Sequence, residues 1–323
     1  MLRSHSQLFD QLVDRIEQGN HAHAYMFEGA QGIGKKQFVT ALVKRIASKE
    51  ASEQVLKNID QNIHPDVLFV EKEEEAAEIV LDQIKTAQQR LMNHPVNAPY
   101  NCVVIWNAHY LNREASNAFL KMLEEPPAHG MVFLTTSSRS KLLPTIVSRC
   151  QRVQLQRGSF KDIVKELIEA GASQEQAEQL AHAAQGRLEV AKQWLNESIW
   201  KEHKLKIKEG SSVLTAELPD SLKQIESIAK LPKDEFLELR NHWLELIRDV
   251  LLLQQSAGLK LTNEWMSADL ALLKDRFSSS RLITLAEKLI DEMGSEKIAF
   301  NKRLQLEDLL VSFHHEGAGV STT

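Results

Sequence analysis

Cysteine is nearly absent from this chain: Cys102 and Cys150 are the only two in 323 residues. Two thiols are too few for a disulfide framework or a four-cysteine zinc site, and neither is expected. Aromatic residues are also sparse, at 6%. Leucine and alanine dominate the second half, which leans the composition toward helix. An excess of positive charge is missing as well, with a net charge of −5 and a pI near 6.2. A protein that grips nucleic acid over its whole surface is usually basic, so any such contact is expected to be local or shared with other subunits. No aromatic–basic stripe is present, which argues against a module that binds single strands alone. No run of about 18 apolar residues exists, so no transmembrane helix is expected. The opening MLRSHSQLFDQLVDRI has no uninterrupted apolar core and does not read as a signal peptide. A cytoplasmic protein with no membrane partner is the expectation. The sequence shows no internal repeat and no low-complexity tract.

What is present is an ordinary globular balance, 43% hydrophobic and 26% charged, over a length that suits two or three domains at roughly 100–200 residues each. Residues 1–157 alternate short apolar runs with helical spacing. Ala24–Glu28, Asp66–Glu71, Cys102–Trp106, Met131–Thr135 and Gln151–Leu155 read as strands. Val39, Leu42, Val43 and Ile46 recur at helix spacing, as do Val80, Ile84, Ala87 and Leu91. Asn112 is a capping residue for a helix that Pro126-Pro127 stops near residue 125. Buried strands alternating with helices predict an α/β domain, a parallel sheet with helices on both faces. After residue 157 the strand pattern ends. Phe160–Ala170, Ser173–Ala184 and Leu188–Leu195 read as a three-helix lid domain over 158–205. An all-α C-terminal domain over 206–323 follows, with apolar faces at Phe236–Val250 and Leu304–Phe313. The lysine-rich stretch Lys201–Ser212 reads as a linker or hinge, the acidic run Glu71–Glu75 as a solvated loop, and Glu316–Thr323 as a frayed tail.

The segment Gly29-Ala30-Gln31-Gly32-Ile33-Gly34-Lys35-Lys36 follows a strand and opens a helix. It fits the phosphate-loop pattern G-x-x-x-x-G-K-[ST] at every position but the last. Gly29, Gly32 and Gly34 let backbone N–H groups turn toward phosphate oxygens at a helix N-terminus, and Lys35 is placed to reach the terminal phosphates. In working ATPases of this type the final hydroxyl holds magnesium. Here that position is Lys36, which ligates no cation. The third strand runs into Trp106-Asn107-Ala108-His109, with no acid at its end to hold magnesium or polarise water. Two independent parts of a hydrolytic site are therefore absent. His109 is a weak alternative base, since a lone histidine after a strand is more often structural.

Residues 107–150 carry the most specific signal: the A-H-x-L-N turn, a helix ending in Glu124-Glu125-Pro126-Pro127, and Leu143-Pro144-Thr145-Ile146 leading to Ser148-Arg149-Cys150. With His21–Phe27, Asn62–Asp66 and Asn301–Leu310, the chain resembles the clamp-loader branch of the AAA+ ATPases, as in bacterial DNA polymerase III. The likeness is strong over residues 20–155 and weaker beyond. It implies an AAA+ P-loop domain, a helical lid and a C-terminal collar that assembles with other subunits. It also implies that Arg149, with Ser148 and Cys150 in its motif, reaches as an arginine finger to ATP held by a neighbour. A planar, permanently charged fork suits phosphate oxygens. The implied partners are gamma/tau-like motor subunits and a delta-like clamp opener, with the sliding clamp and primed DNA met through the complex.

Apart from a missing metal module, the departures from the family fall on self-hydrolysis. Ser48–Gln61, where relatives often carry a four-cysteine module, has no cysteine, so no zinc is expected. The lid position that senses phosphate in active relatives is Glu189, an acid; Arg187 is nearby but out of register. Thr135 and Thr136 fall near the family's polar sensor at the end of the fourth strand. No cofactor is expected to be required, and the degenerate loop is compatible only with weak, vestigial ATP or ADP binding. The resemblance therefore favours a non-hydrolysing subunit of a replication complex, without independent ATPase activity. The alternative is an ATP-hydrolysing gamma/tau-like motor or another AAA+ loader.

Overall fold

The computed structural model describes residues 3–47, 52–74, 76–216, 218–255, 261–294 and 302–314. They pack as two compact units, residues 1–192 and 193–323. The first unit is built on a five-stranded parallel sheet. In chain order its elements are α1 (Arg3–Glu17), β1 (Ala24–Glu28), α2 (Lys35–Ala47), α3 (Glu53–Asp60), β2 (Val67–Val70), α4 (Leu81–Met92), β3 (Asn101–Ile105), α5 (Arg113–Glu124), β4 (Gly130–Thr136), α6 (Pro144–Arg149), β5 (Gln151–Gln154), α7 (Phe160–Glu169), α8 (Gln174–Ala184) and α9 (Leu188–Gln193). The strand order is β2-β3-β4-β1-β5, so β1 and the loop after it lie between β4 and β5.

Alternation of side chains along each strand makes two cores, one on each face of the sheet. Tyr25, Phe27, Cys102, Val104, Met131 and Phe133 point to the face covered by α1 and α2, where Leu12, Phe38 and Leu42 pack. Ala24, Met26, Val103, Ile105, Val132 and Leu134 point to the opposite face, against Ile84, Phe119 and Ile146 of α4, α5 and α6. The expected strands are all present, with ends shifted by a residue or so. Asn112 caps α5 by accepting from the Ala115 N–H. Of the residues at helix spacing, Val80 departs from the rest: it is 44% exposed, because it precedes α4 as the N-cap residue and lies outside the helix's buried stripe. Glu75 and residues 315–323, the latter holding the expected frayed tail, lie outside the described residues.

The second unit holds α10 (Glu197–Thr215), α11 (Leu218–Ala229), α12 (Lys233–Gln254), α13 (Ser267–Arg276), α14 (Ser279–Gly294) and α15 (Lys302–His314). Lys201–Ser212 is not a linker but the middle of α10. Its lysines line a solvated face, while Trp200, Ile207, Ser211 and Leu214 recur at helical spacing on the buried one. Phe236, Leu239, Trp243, Ile247 and Val250 of α12 build this unit's own core, with Leu306, Leu309 and Leu310 of α15. Leu304 and Val311 remain exposed. Among the described residues, no helix is long and apolar enough to cross a membrane.

Candidate functional site

The loop Gly29–Lys36 leads from the end of β1 into α2. Gly32 and Gly34 have φ of +78° and +101°, the left-handed region that glycine enters without penalty. A side chain at Gly32 is excluded twice over, since its Cβ would lie 2.4 Å from a methyl of Val190. Val190 belongs to α9, whose first turn is seated on the loop. The Glu189 N–H donates to the Gly32 carbonyl over 3.0 Å. The three-helix segment thus touches the phosphate loop at the loop's most constrained point.

Lys35 is buried, and its ammonium donates to the Gly29 carbonyl (2.8 Å) and the Ala30 carbonyl (2.7 Å) of its own loop. Burial pushes its pKa down to about 8, and the negative charge of Glu189 opposes that shift. Both acceptors belong to the loop itself, and the nearby charge is the Glu189 carboxylate of α9. Lys36 turns elsewhere. It forms an exposed ion pair with Glu71 (3.0 Å) and lies 5.5 Å from the ring centre of Trp106, itself stacked on Phe69. These groups share the lining of a cavity of about 460 Å³ with Thr40 and Gln83.

The end of β3 is equally short of magnesium ligands. Asn107 has a left-handed backbone, φ +49°, and its N–H donates to Thr135 Oγ1 over 2.8 Å. Thr136 Oγ1 accepts from the Ser138 N–H (3.1 Å) and lies 3.3 Å from His109 Nδ1. Both threonine hydroxyls thus knit the ends of β3 and β4 together, and His109 is part of that structural network.

Ser148-Arg149-Cys150 closes α6. Pro144 opens this short helix, and Ile146 and Cys150, four residues apart, turn into the core. Ser148 and Arg149 are left facing solvent. Arg149 Nη1 donates to the Thr145 carbonyl of its own helix (3.1 Å), and Nη2 pairs with Glu124 Oε1 (2.9 Å) at the end of α5. Burial pushes the Cys150 thiol up to about 12, so it is no nucleophile. The Glu124 pairing was not singled out from the sequence; the Glu-Glu-Pro-Pro stop gave its place but not its partner. Asp66, named in the Asn62–Asp66 motif and at the start of the second strand, has a role that the sequence does not reveal. It is buried and accepts from the N–H groups of Val96, Asn97 and Ala98 at 2.8, 2.6 and 2.8 Å, anchoring the loop before β3.

Comparison with known proteins identifies the lineage. Residues 4–159 match the family model described as DNA polymerase III, delta subunit, and residues 206–315 match the model for that subunit's C terminus. The chain belongs to the DNA polymerase III delta-prime family. It is 27% identical to the delta-prime subunit of Pseudomonas aeruginosa over 318 residues, 95% of each chain. It is 32% identical to delta-prime of Bacillus subtilis over 177 residues, 53% of each chain. It is 29% identical to the tau subunit of that organism, over 58% of this chain and 35% of tau. The chain thus spans about half or less of the length of the two Bacillus subtilis relatives it matches. Delta-prime, gamma and tau subunits of DNA polymerase III are all among its relatives, which places it in the clamp-loader family of subunits, and the five-stranded parallel sheet has the helix-covered faces that the sequence predicts.

Proposed function

We propose that this chain is a non-hydrolysing subunit of a DNA polymerase III clamp loader, and that it presents Arg149 to ATP held by an adjacent gamma/tau-like motor subunit. The observation that carries the reading is the pair Lys36 and Asn107, at the two positions where magnesium ligands belong. Lys36 pairs with Glu71 and the Asn107 N–H donates to Thr135 Oγ1, so neither position offers the hydroxyl or carboxylate that holds the ion. Arg149 is exposed at the end of α6, beside the buried Ile146 and Cys150.

In this reading the second unit joins a collar with its counterparts on motor and delta-like clamp-opening subunits, and sliding clamp and primed DNA are engaged through the whole assembly. Residual ATP or ADP binding at the loop is weak, and no zinc or other cofactor takes part. The test is the DNA-stimulated ATPase of the reconstituted complex. Arg149→Ala should lower it by at least ~10-fold, in keeping with the size of arginine-finger effects, without dissolving the complex. Full activity in that variant would overturn the assignment. Magnesium-dependent hydrolysis by the purified chain alone would favour the motor alternative instead.

A further inference from the structure

We propose that Glu124 is the positioning residue for Arg149: it holds the guanidinium in a reach-ready orientation before a neighbour's phosphates arrive. The inference rests on the reading of Arg149 just given and extends it to a residue with no assigned role.

Arginine is a long side chain that carries about 2 kcal/mol of rotamer entropy when unrestrained. Here two contacts restrain it. One Nη bonds the Thr145 carbonyl a turn earlier in α6, and the other pairs with Glu124 at 2.9 Å. These use two of the five N–H donors, leaving the rest of the fork for another anion. The side chain stays 37% exposed, so solvent, or a partner's phosphate, has access to it.

The two anchors are themselves fixed. Glu124 is the last residue of α5, behind Phe119, Met122 and Leu123, all buried against the sheet, and ahead of Pro126-Pro127. Arg149 is the last residue of α6, between the buried Ile146 and Cys150. The C-terminal end of a helix carries partial negative charge. That favours Arg149 at its helix end and disfavours a lone carboxylate at the end of α5, so Glu124 gains from the pairing. A phosphate nearing the fork would meet a guanidinium already oriented between two rigid helices, and less conformational freedom would be lost on contact.

The experiment uses the reconstituted complex with wild-type chain, Arg149→Ala, Glu124→Ala, Glu124→Gln and the Arg149→Ala/Glu124→Ala double variant. Steady-state ATPase on primed DNA is measured across ATP concentration, and assembly is checked by native mass measurement. Glu124→Ala should lower kcat about 3- to 10-fold with little change in KM. Glu124→Gln keeps an acceptor oxygen and should recover part of the loss. In the Arg149→Ala background Glu124→Ala should have no further effect. A purely structural Glu124 would lower the melting temperature of the chain but leave kcat of the assembled complex untouched, and that result would overturn the proposal, as would a rise in kcat. Loss of activity in Arg149→Ala with wild-type kcat in Glu124→Ala sinks the role of Glu124 alone. No loss in Arg149→Ala sinks the underlying reading.

Discussion

Raising the pH should stabilise the phosphate-loop unit through Lys35, and a Lys35→Met variant isolates the effect. In the unfolded chain a lysine holds its proton to about pH 10.4. In the folded chain burial lowers that point to about 8. Between these values unfolding takes up a proton, so stability rises with pH. Below about pH 8 both states are protonated and the full penalty of a buried charge is present. At ~1.4 kcal/mol per pH unit, the separation corresponds to about 3 kcal/mol, of which about 2.5 kcal/mol is relieved by pH 10. Lys35 is buried, so solvent screening takes little from this figure. Methionine removes the charge but leaves the half-buried Gly29 and Ala30 carbonyls without the ammonium, a cost of ~1–3 kcal/mol for the pair. At pH 7 these two changes roughly cancel. At pH 10 the variant should be less stable than wild type by about 2–3 kcal/mol more than at pH 7. Urea unfolding of both proteins at pH 7, 8.5 and 10, followed by circular dichroism, gives the difference, and every other titrating group drops out of it. A wild-type-minus-variant difference that stays flat from pH 7 to 10 would refute the account of a desolvated, loop-bound lysine.

Three further outcomes are expected. Gly32→Ala drives a methyl against Val190 at a residue with φ +78°, and should cost about 1–3 kcal/mol; hydrogen exchange should quicken at residues 187–193, and unchanged exchange there would mean that α9 is not held by the loop. Asp66→Asn places an amide N–H against backbone donors that the carboxylate now satisfies. It should destabilise the chain by about 2–4 kcal/mol, and a urea midpoint equal to wild type would count against the anchoring role. Cys102 and Cys150, both pushed up to about 12 by burial, should resist iodoacetamide at pH 8 in the native chain and react once it is unfolded. Rapid native alkylation, read by mass measurement, would contradict their placement.

Much of the first unit was legible from local pattern. Strands such as Ala24–Glu28 are apolar over Ala24–Phe27 because parallel sheets are covered on both faces, and β1 falls on the residues the pattern marks. Val39, Leu42, Val43 and Ile46 are all buried, as their spacing requires. The pattern failed where charge hid a helix or a cap broke a stripe. Lys201–Ser212 looked like a hinge because lysines outnumber apolar residues there, yet Trp200, Ile207 and Leu214 lie one helical face apart at seven-residue steps. Val80 kept the spacing of α4 but sits one residue before it, where side chains leave the buried face. Helix α1 was not picked out, although Leu12, Val13 and Ile16 are buried in the core.

The sequence by itself determined the loop's chemistry: glycines where backbone must turn, a lysine at the phosphate-reaching position, and Lys36 and Asn107 where magnesium ligands belong. It also placed Arg149 beside Cys150, just before the fifth strand, but not on the short helix that Pro144 opens. Tertiary structure decided what those groups touch. Gly32 meets Val190 and the Glu189 N–H because α9 is brought onto a loop more than 150 residues away in the chain. Arg149 meets Glu124 because α5 and α6 pack on the same face of the sheet, and Asp66 meets residues 96–98 across about 30 positions. Residue type and spacing set local geometry through steric and helical periodicity. Long-range pairs are chosen only when the sheet order is fixed and the helices close over it.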